Sequence, residues 1–206
     1  TQGIVQKEDI TENGIKYIKQ DGSVGYYQTV NKTTPVAGDV KYVDRNGDGV
    51  VDDNDRDIIG NPNPDFTYGF QTKVSWKSLS LSASFNGVQG RDILNVGNRY
   101  NNTPGTKSNN VTRKAFQNMW TDENPSNLYP KSTFVVQNMV MDRYVEDGSY
   151  LRCSDITLSY VLPAKWTNKI GIKNTSVYAS VKNAFVITDY SGYDPEVNSF
   201  AFDGLR

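Results

Sequence analysis

The sequence contains no histidine and only one cysteine, Cys153, among its 206 residues. Imidazole general-base chemistry and histidine metal ligation are therefore excluded. The serine–histidine and cysteine–histidine forms of nucleophilic catalysis are excluded for the same reason. A single cysteine also excludes an internal disulfide bond. Any chemistry in this chain must rest on other residue types.

An excess of charge of one sign and long hydrophobic runs are absent as well. The chain has 22 basic and 23 acidic residues, and this balance argues against nucleic-acid binding. No apolar run approaches the roughly twenty residues that a membrane-spanning helix needs. Membrane-spanning strands are a separate question, because their signal is alternation over about ten residues.

Residues 44–55, DRNGDGVVDDND, have the spacing of a calcium loop. A loop of this twelve-residue type has glycine at its sixth position, here Gly49, and usually glutamate at its last, here Asp55. The predicted ligands are the carbonyl of Val50 and the side chains of Asp44, Asn46, Asp48, Asp52 and Asp55. We therefore expect a structural calcium ion. The alternative is a metal-free surface turn, because Asn-Gly and Asp-Gly pairs favour tight turns without any ion.

Four segments alternate apolar and polar residues with period two, which predicts strands with one apolar and one mainly polar face. In the second segment, the apolar set is Leu79, Leu81, Ala83 and Phe85, and the polar set is Ser80, Ser82, Ser84 and Asn86. The four segments are FTYGFQTKVSW, LSLSASFNG, SDITLSYVL and TSVYASVKNAFVI. This pattern fits a soluble sandwich with one wetted face as well as a membrane barrel with a watery lumen.

The connections between these strands favour the barrel. Short links, near Lys77 and Ser78 and at PAKWTNKIGIKN, lie at one end, and the long polar segments lie at the other. Long outer loops and short periplasmic turns are typical of outer-membrane barrels. The predicted organisation is an outer loop region at 1–64 with the calcium-like loop at 44–55, a hairpin at 65–90, a long outer loop at 91–148, a hairpin at 149–188 and an outer loop at 189–206.

Two smaller elements and one candidate catalytic pair complete the pattern. The Asp21-Gly22 pair predicts a hairpin between IKYIKQ and VGYYQTV, and NVTRKAFQNMW has the loose helical spacing of a short amphipathic helix. Glu146 and Asp147 are the carboxylate pair considered for glycosidase chemistry. Adjacent strand residues point to opposite faces, and VEDGSY is typical of a turn, so we expect no enzyme.

Four blocks of the sequence, in order, resemble the C-terminal part of SusC/RagA-type TonB-dependent outer-membrane transporters. They cover most of residues 38–198. The blocks are GDVKYVDRNGDGVVDDNDRDIIGNPNPDFTYGF, FNGVQGRDILN, YVEDGSYLRCSDITLSYVLP and VYASVKNAFVITDYSGYDPEVN.

The resemblance implies an all-β fold, namely antiparallel strands from a barrel of about 22 strands with long polar loops and a short helix. It further implies a place in the outer membrane, in contact with its lipid, and import of oligosaccharide or peptide. A SusD-like surface lipoprotein would be the partner, and TonB would act through an N-terminal part that these residues do not contain. We expect the apolar strand faces to point to lipid and the polar faces to line the lumen. The alternative is a secreted, calcium-stabilised β domain that binds carbohydrate through exposed aromatic residues.

Overall fold

The chain folds mainly into antiparallel strands, in a computed structural model that describes residues 1–103, 110–132, 140–172 and 175–196. The strands are β1 (Ile10–Thr11), β2 (Gly14–Ile18), β3 (Val24–Tyr27), β4 (Thr29–Val30), β5 (Val50–Val51), β6 (Phe66–Trp76), β7 (Leu79–Gln89), β8 (Asp92–Leu94), β9 (Val145–Asp147), β10 (Tyr150–Val161) and β11 (Ser176–Thr188). Short helices are α1 (Val96–Asn101), α2 (Arg113–Asn118) and α3 (Ala164–Thr167). The predicted fold class is confirmed. No helix of the described residues has the length and apolar character needed to cross a membrane.

The four long strands form one antiparallel sheet in the order β11, β10, β7, β6. The predicted segments account for them. β6 coincides with FTYGFQTKVSW, and the turn to β7 places Lys77 in the left-handed region with φ of 54°. β10 begins earlier than predicted, at Tyr150 rather than Ser154. β7 and β10 pair along their length although the long segment 91–148 separates them in sequence.

One face of this sheet is apolar across all four strands, because residues opposite one another in register lie on the same face. Leu81 is opposite Val74 on one side and Leu158 on the other. The Phe70 and Phe85 rings stack with centroids 4.6 Å apart. Leu81 is 47% exposed and Leu158 45% exposed. The apolar face therefore lies open in the described residues instead of packing on a second layer.

A β-bulge in β10 keeps that face continuous. Cys153 is opposite Phe85, whereas Asp155 is opposite Ser84, so β10 contains one more residue than β7 at this point. An extra residue shifts the alternation by one position. Leu151 and Cys153 therefore share the apolar face with Ile156, and Arg152 lies on the polar face.

A separate compact unit consists of Thr1–Gly60 with Leu94–Val145, and it has its own hydrophobic core. The predicted hairpin is confirmed by β2 and β3, whose turn places Gly22 at φ of 83°. The predicted helix is confirmed by α2, in which the Thr112 side chain caps the first turn. The buried core residues are Ile4, Val5, Ile15, Tyr17, Tyr27, Val30, Val40, Tyr42, Val51, Trp120, Met141 and Tyr144. Segments expected as outer loops thus form a packed structure.

The second unit, Asn61–Ile93 with Glu146–Arg206, contains the four-stranded sheet and a glycine that its packing requires. A Cβ added at Gly87 would lie 2.3 Å from Cζ of Tyr68 and 2.6 Å from the carbonyl oxygen of Tyr150. The Tyr68 hydroxyl donates a hydrogen bond to that same carbonyl at 3.3 Å. The tyrosine ring therefore occupies the space that any larger residue at this position would need.

Gly87→Ala should destabilise the full-length protein by about 1–3 kcal/mol, because the added methyl group overpacks the site. Denaturant unfolding in detergent measures the change. The matched control is Gly69→Ala on the neighbouring strand, where the nearest atom to the added Cβ is 3.4 Å away. An equal loss in the two variants would contradict the packing explanation.

Candidate functional site

The loop at residues 44–55 is organised around Asp44. This residue is buried, and its carboxylate accepts hydrogen bonds from the backbone N–H groups of Gly47 at 2.6 Å and Gly49 at 2.8 Å. Both glycines have φ near 80°, which residues with a side chain rarely adopt. The hydroxyl of Tyr17 donates a hydrogen bond to the Asp44 carbonyl oxygen at 2.7 Å. Burial, together with the nearby carboxylates of Asp44 and Asp55, raises the pKa of Tyr17.

Asp55 links the two ends of the loop. Its Oδ1 accepts a hydrogen bond from the backbone N–H of Arg45 at 2.6 Å, and its Oδ2 accepts one from that of Asp52 at 2.8 Å. Asp48 accepts one from the backbone N–H of Val50 at 2.8 Å. The predicted ligands Asp44, Asp48 and Asp55 thus lie in one loop, with each carboxylate bonded to a backbone amide.

The predicted calcium ligands are of the chemical kind that this ion binds. Carboxylate, amide and carbonyl oxygens are the donors that calcium prefers. Among the described residues, however, no three acidic or cysteine side chains lie together in a group that could hold a metal ion. The side chain of Asn46 donates to Asp48 at 3.0 Å, and that of Asp52 accepts from the backbone N–H of Asn54 at 2.7 Å. Calcium binding by this loop stays a prediction.

A second polar site lies on the polar face of the four-stranded sheet. Arg152 is opposite Asn86 in register, and its guanidinium group contacts two carboxylates. Nη2 lies 2.6 Å from Oδ1 of Asp194, and Nε lies 3.2 Å from Oε1 of Glu196. The sequence analysis missed this cluster, since its only signals are an arginine beside an alternating segment and the distant acidic residues of YDPEV.

Glu146 and Asp147, the carboxylates considered for glycosidase chemistry, bond to different serine residues. Glu146 accepts hydrogen bonds from the backbone N–H and the hydroxyl of Ser191, each at 2.9 Å. Asp147 accepts them from the backbone N–H and the hydroxyl of Ser149, at 2.8 Å and 2.6 Å. The two carboxylates thus hold different segments of the chain, one after β11 and the other before β10.

Known proteins with similar sequences are TonB-dependent receptors. TonB-dependent receptor P26 of Formosa agariphila is 34% identical over 175 residues, which are 82% of this chain and 17% of that protein. TonB-dependent receptor SusC of Bacteroides thetaiotaomicron is 34% identical over 165 residues, which are 77% of this chain and 15% of that protein. The chain belongs to the SusC/RagA-type TonB-dependent receptors.

Solved structures agree with this family. The match to the RagAB peptide importer in its closed-closed state covers 87% of this chain and 18% of the RagAB chain, with a TM-score of 0.60 and 27% identity. The match to the RagAB peptide transporter covers 67% of this chain and 15% of that structure's chain, with a TM-score of 0.56 and 28% identity. No family model matches the sequence. The chain thus spans less than a fifth of the length of these SusC/RagA-type relatives.

Proposed function

We propose that this chain supplies strands and outer loops to the outer-membrane barrel of a TonB-dependent nutrient transporter. The observation that carries the proposal is the exposed apolar face shared by β6, β7, β10 and β11. These strands have 11, 11, 12 and 13 residues. A tilted membrane strand needs about 9–11 residues to cross the hydrocarbon layer.

Lipid is the environment that this face requires. Its exposed residues include Phe66, Phe70, Val74 and Trp76 from β6 alone, and water-soluble proteins rarely expose apolar patches that continue over several strands. The opposite face has Ser80 and Ser82 in register with Ser159 and Thr157, which suits a watery lumen. A secreted carbohydrate-binding domain would leave the apolar face in water.

The edges of the sheet support the same proposal. β6 and β11 are the outermost strands of this sheet in the described residues. An unpaired strand edge in lipid costs several kcal/mol for each unsatisfied backbone group, so each edge needs a neighbouring strand. A closed barrel built with the rest of a receptor provides such neighbours.

Transport, its energy source and its partner are inferred from the family. The relatives are called TonB-dependent receptors, and RagAB is described as a peptide importer. We propose uptake of oligosaccharide or peptide, driven by TonB through the N-terminal part of the receptor, with a SusD-like surface lipoprotein as partner. We also propose that residues 44–55 bind a structural calcium ion on the outer side of the membrane.

Deletion of the receptor gene from its host tests this function. The deletion strain should lose uptake of one nutrient class, supplied as labelled oligosaccharides or labelled peptides, and the full-length gene should restore it. Loss of TonB should abolish the same uptake, since the energy enters through TonB. Uptake that persists without TonB would contradict the proposal, and the nutrient class that is lost identifies the substrate.

A further inference from the structure

Residues 189–196, called the strap here, follow β11 and turn back over the polar face of the sheet. β11 is the outermost strand on its side of the described sheet, yet Glu196 reaches Asn86 on β7, two strands away. The carbonyl of Pro195 accepts a hydrogen bond from the guanidinium group of Arg91. The strap therefore crosses both β11 and β10.

Arg152 is the central contact of the strap with the sheet. Its side chain is only 10% exposed, whereas the side chains of Asp194 and Glu196 are each 44% exposed. A hydrogen bond in which both groups are charged is stronger than a neutral one, and the planar guanidinium group can hold two carboxylates at once. The buried cation thus holds the strap at two points.

Glu196 collects further hydrogen bonds at the same carboxylate oxygen. Oε1 accepts a hydrogen bond from the Tyr150 hydroxyl at 2.9 Å and from the Asn86 side chain at 3.1 Å. Residues of β7, β10 and the strap therefore meet at one atom. Asp194 also accepts a hydrogen bond from the backbone N–H of Glu196 at 2.8 Å, which fixes the turn between the two carboxylates.

Burial on the polar face changes along the strands. Where the strap crosses, Val88, Tyr150 and Arg152 are buried. Farther along the same face, Lys73 and Lys182 are exposed. Val186 on β11, which is opposite Arg152, is still 37% exposed. The buried positions at this end therefore lie on β7 and β10, the two strands to which Glu196 bonds.

We propose that the strap closes the lumen-facing side of the sheet at the end where β7 finishes and β10 begins, and that Arg152 is the positioning residue that holds it closed. This inference rests on the proposed function, because only in a barrel does the polar face line a lumen. Asp194 and Glu196 are partly hydrated already, so loss of Arg152 releases the strap without leaving a buried charge unpaired.

Hydrogen exchange in the purified full-length receptor tests the attachment. Arg152→Met should speed amide exchange in residues 189–196 roughly tenfold, because local opening no longer breaks charged hydrogen bonds. Arg152→Lys should lie between wild type and Arg152→Met, since a single ammonium group cannot copy the two-point contact. Lys182→Met, which removes an exposed cation from the same face, is the matched control and should leave the exchange unchanged.

Thiol labelling tests the closure. With Val88→Cys in the receptor, a membrane-impermeant maleimide added outside the cells should react roughly tenfold faster once Arg152→Met is present, in line with the more frequent opening. Ser80→Cys, at the far end of the same polar face, should react at the same rate in both backgrounds. Faster exchange of the strap with unchanged labelling at Val88→Cys would overturn the closing role.

A second variant weakens the same contact and keeps the test usable if Arg152→Met assembles poorly. Asp194→Ala removes one of the two carboxylates from a half-exposed position and should raise strap exchange by a smaller factor. Unchanged exchange in both variants would overturn the attachment itself. A different result would contradict the proposed function, namely equal assembly of the Leu158→Arg and Thr157→Arg variants in the outer membrane. That result would not change the interpretation of the exchange measurement.

Discussion

Arginine at position 158 should block assembly of the receptor in the outer membrane, whereas arginine at position 157 should be tolerated. Leu158 lies on the apolar face, opposite Leu81 and Ala179, and Thr157 lies on the polar face, opposite Ser82 and Ser180. Arginine on the lipid side of a barrel costs about 2–4 kcal/mol near the bilayer midplane. On the lumen side its guanidinium group stays in water.

The two variants are a matched pair, because the positions are adjacent on one strand and differ only in the face. Thr157→Arg also removes the hydroxyl that donates to Asp155 at 2.8 Å, so a small loss is expected there. The measurement is the amount of folded receptor in the outer-membrane fraction. Leu81→Arg should repeat the defect on the neighbouring strand. Equal assembly of Leu158→Arg and Thr157→Arg would contradict the barrel assignment.

Calcium should raise the thermal stability of the receptor through residues 44–55, and chelation should lower it. A ligand that binds only the folded state stabilises by RT ln(1 + [L]/Kd), which is about 2.7 kcal/mol at a hundredfold excess over Kd. Thermal unfolding at increasing free calcium measures the effect. Magnesium is the comparison ion, because its strict octahedral geometry fits a loop with a carbonyl ligand less well.

Substitutions of two aspartates in this loop distinguish calcium binding from a metal-free turn. Asp44→Ala should lower stability even in chelator, because the buried carboxylate accepts the backbone N–H groups of Gly47 and Gly49. Asp48 is exposed and holds one backbone N–H. Asp48→Ala should therefore change stability little in chelator and should abolish the calcium dependence. No thermal shift of the wild type at millimolar calcium would mean that the loop is a metal-free turn.

The local pattern of residues determined the strands and their faces. Alternation with period two is a property of each segment by itself, so the extents of β6 and most of β7 and β11 follow from the sequence. The hairpin at Gly22 and the left-handed conformations of Gly47 and Gly49 also follow from local sequence, because glycine adopts positive φ through its lack of a side chain. The family resemblance then added the prediction of a closed barrel, which four segments could not specify.

Contacts between distant parts of the chain were decided by the tertiary structure. The bulge between Cys153 and Asp155 moves Arg152 to the polar face, and period-two counting cannot detect an inserted residue before the partner strands are known. The ion pairs from Arg152 to Asp194 and Glu196 join residues about forty positions apart. The core formed by Thr1–Gly60 with Leu94–Val145 likewise unites segments that read as polar loops. Periodicity carries information only about residues close together in sequence. These contacts join residues far apart in sequence, so they depend on how the folded backbone brings distant segments together.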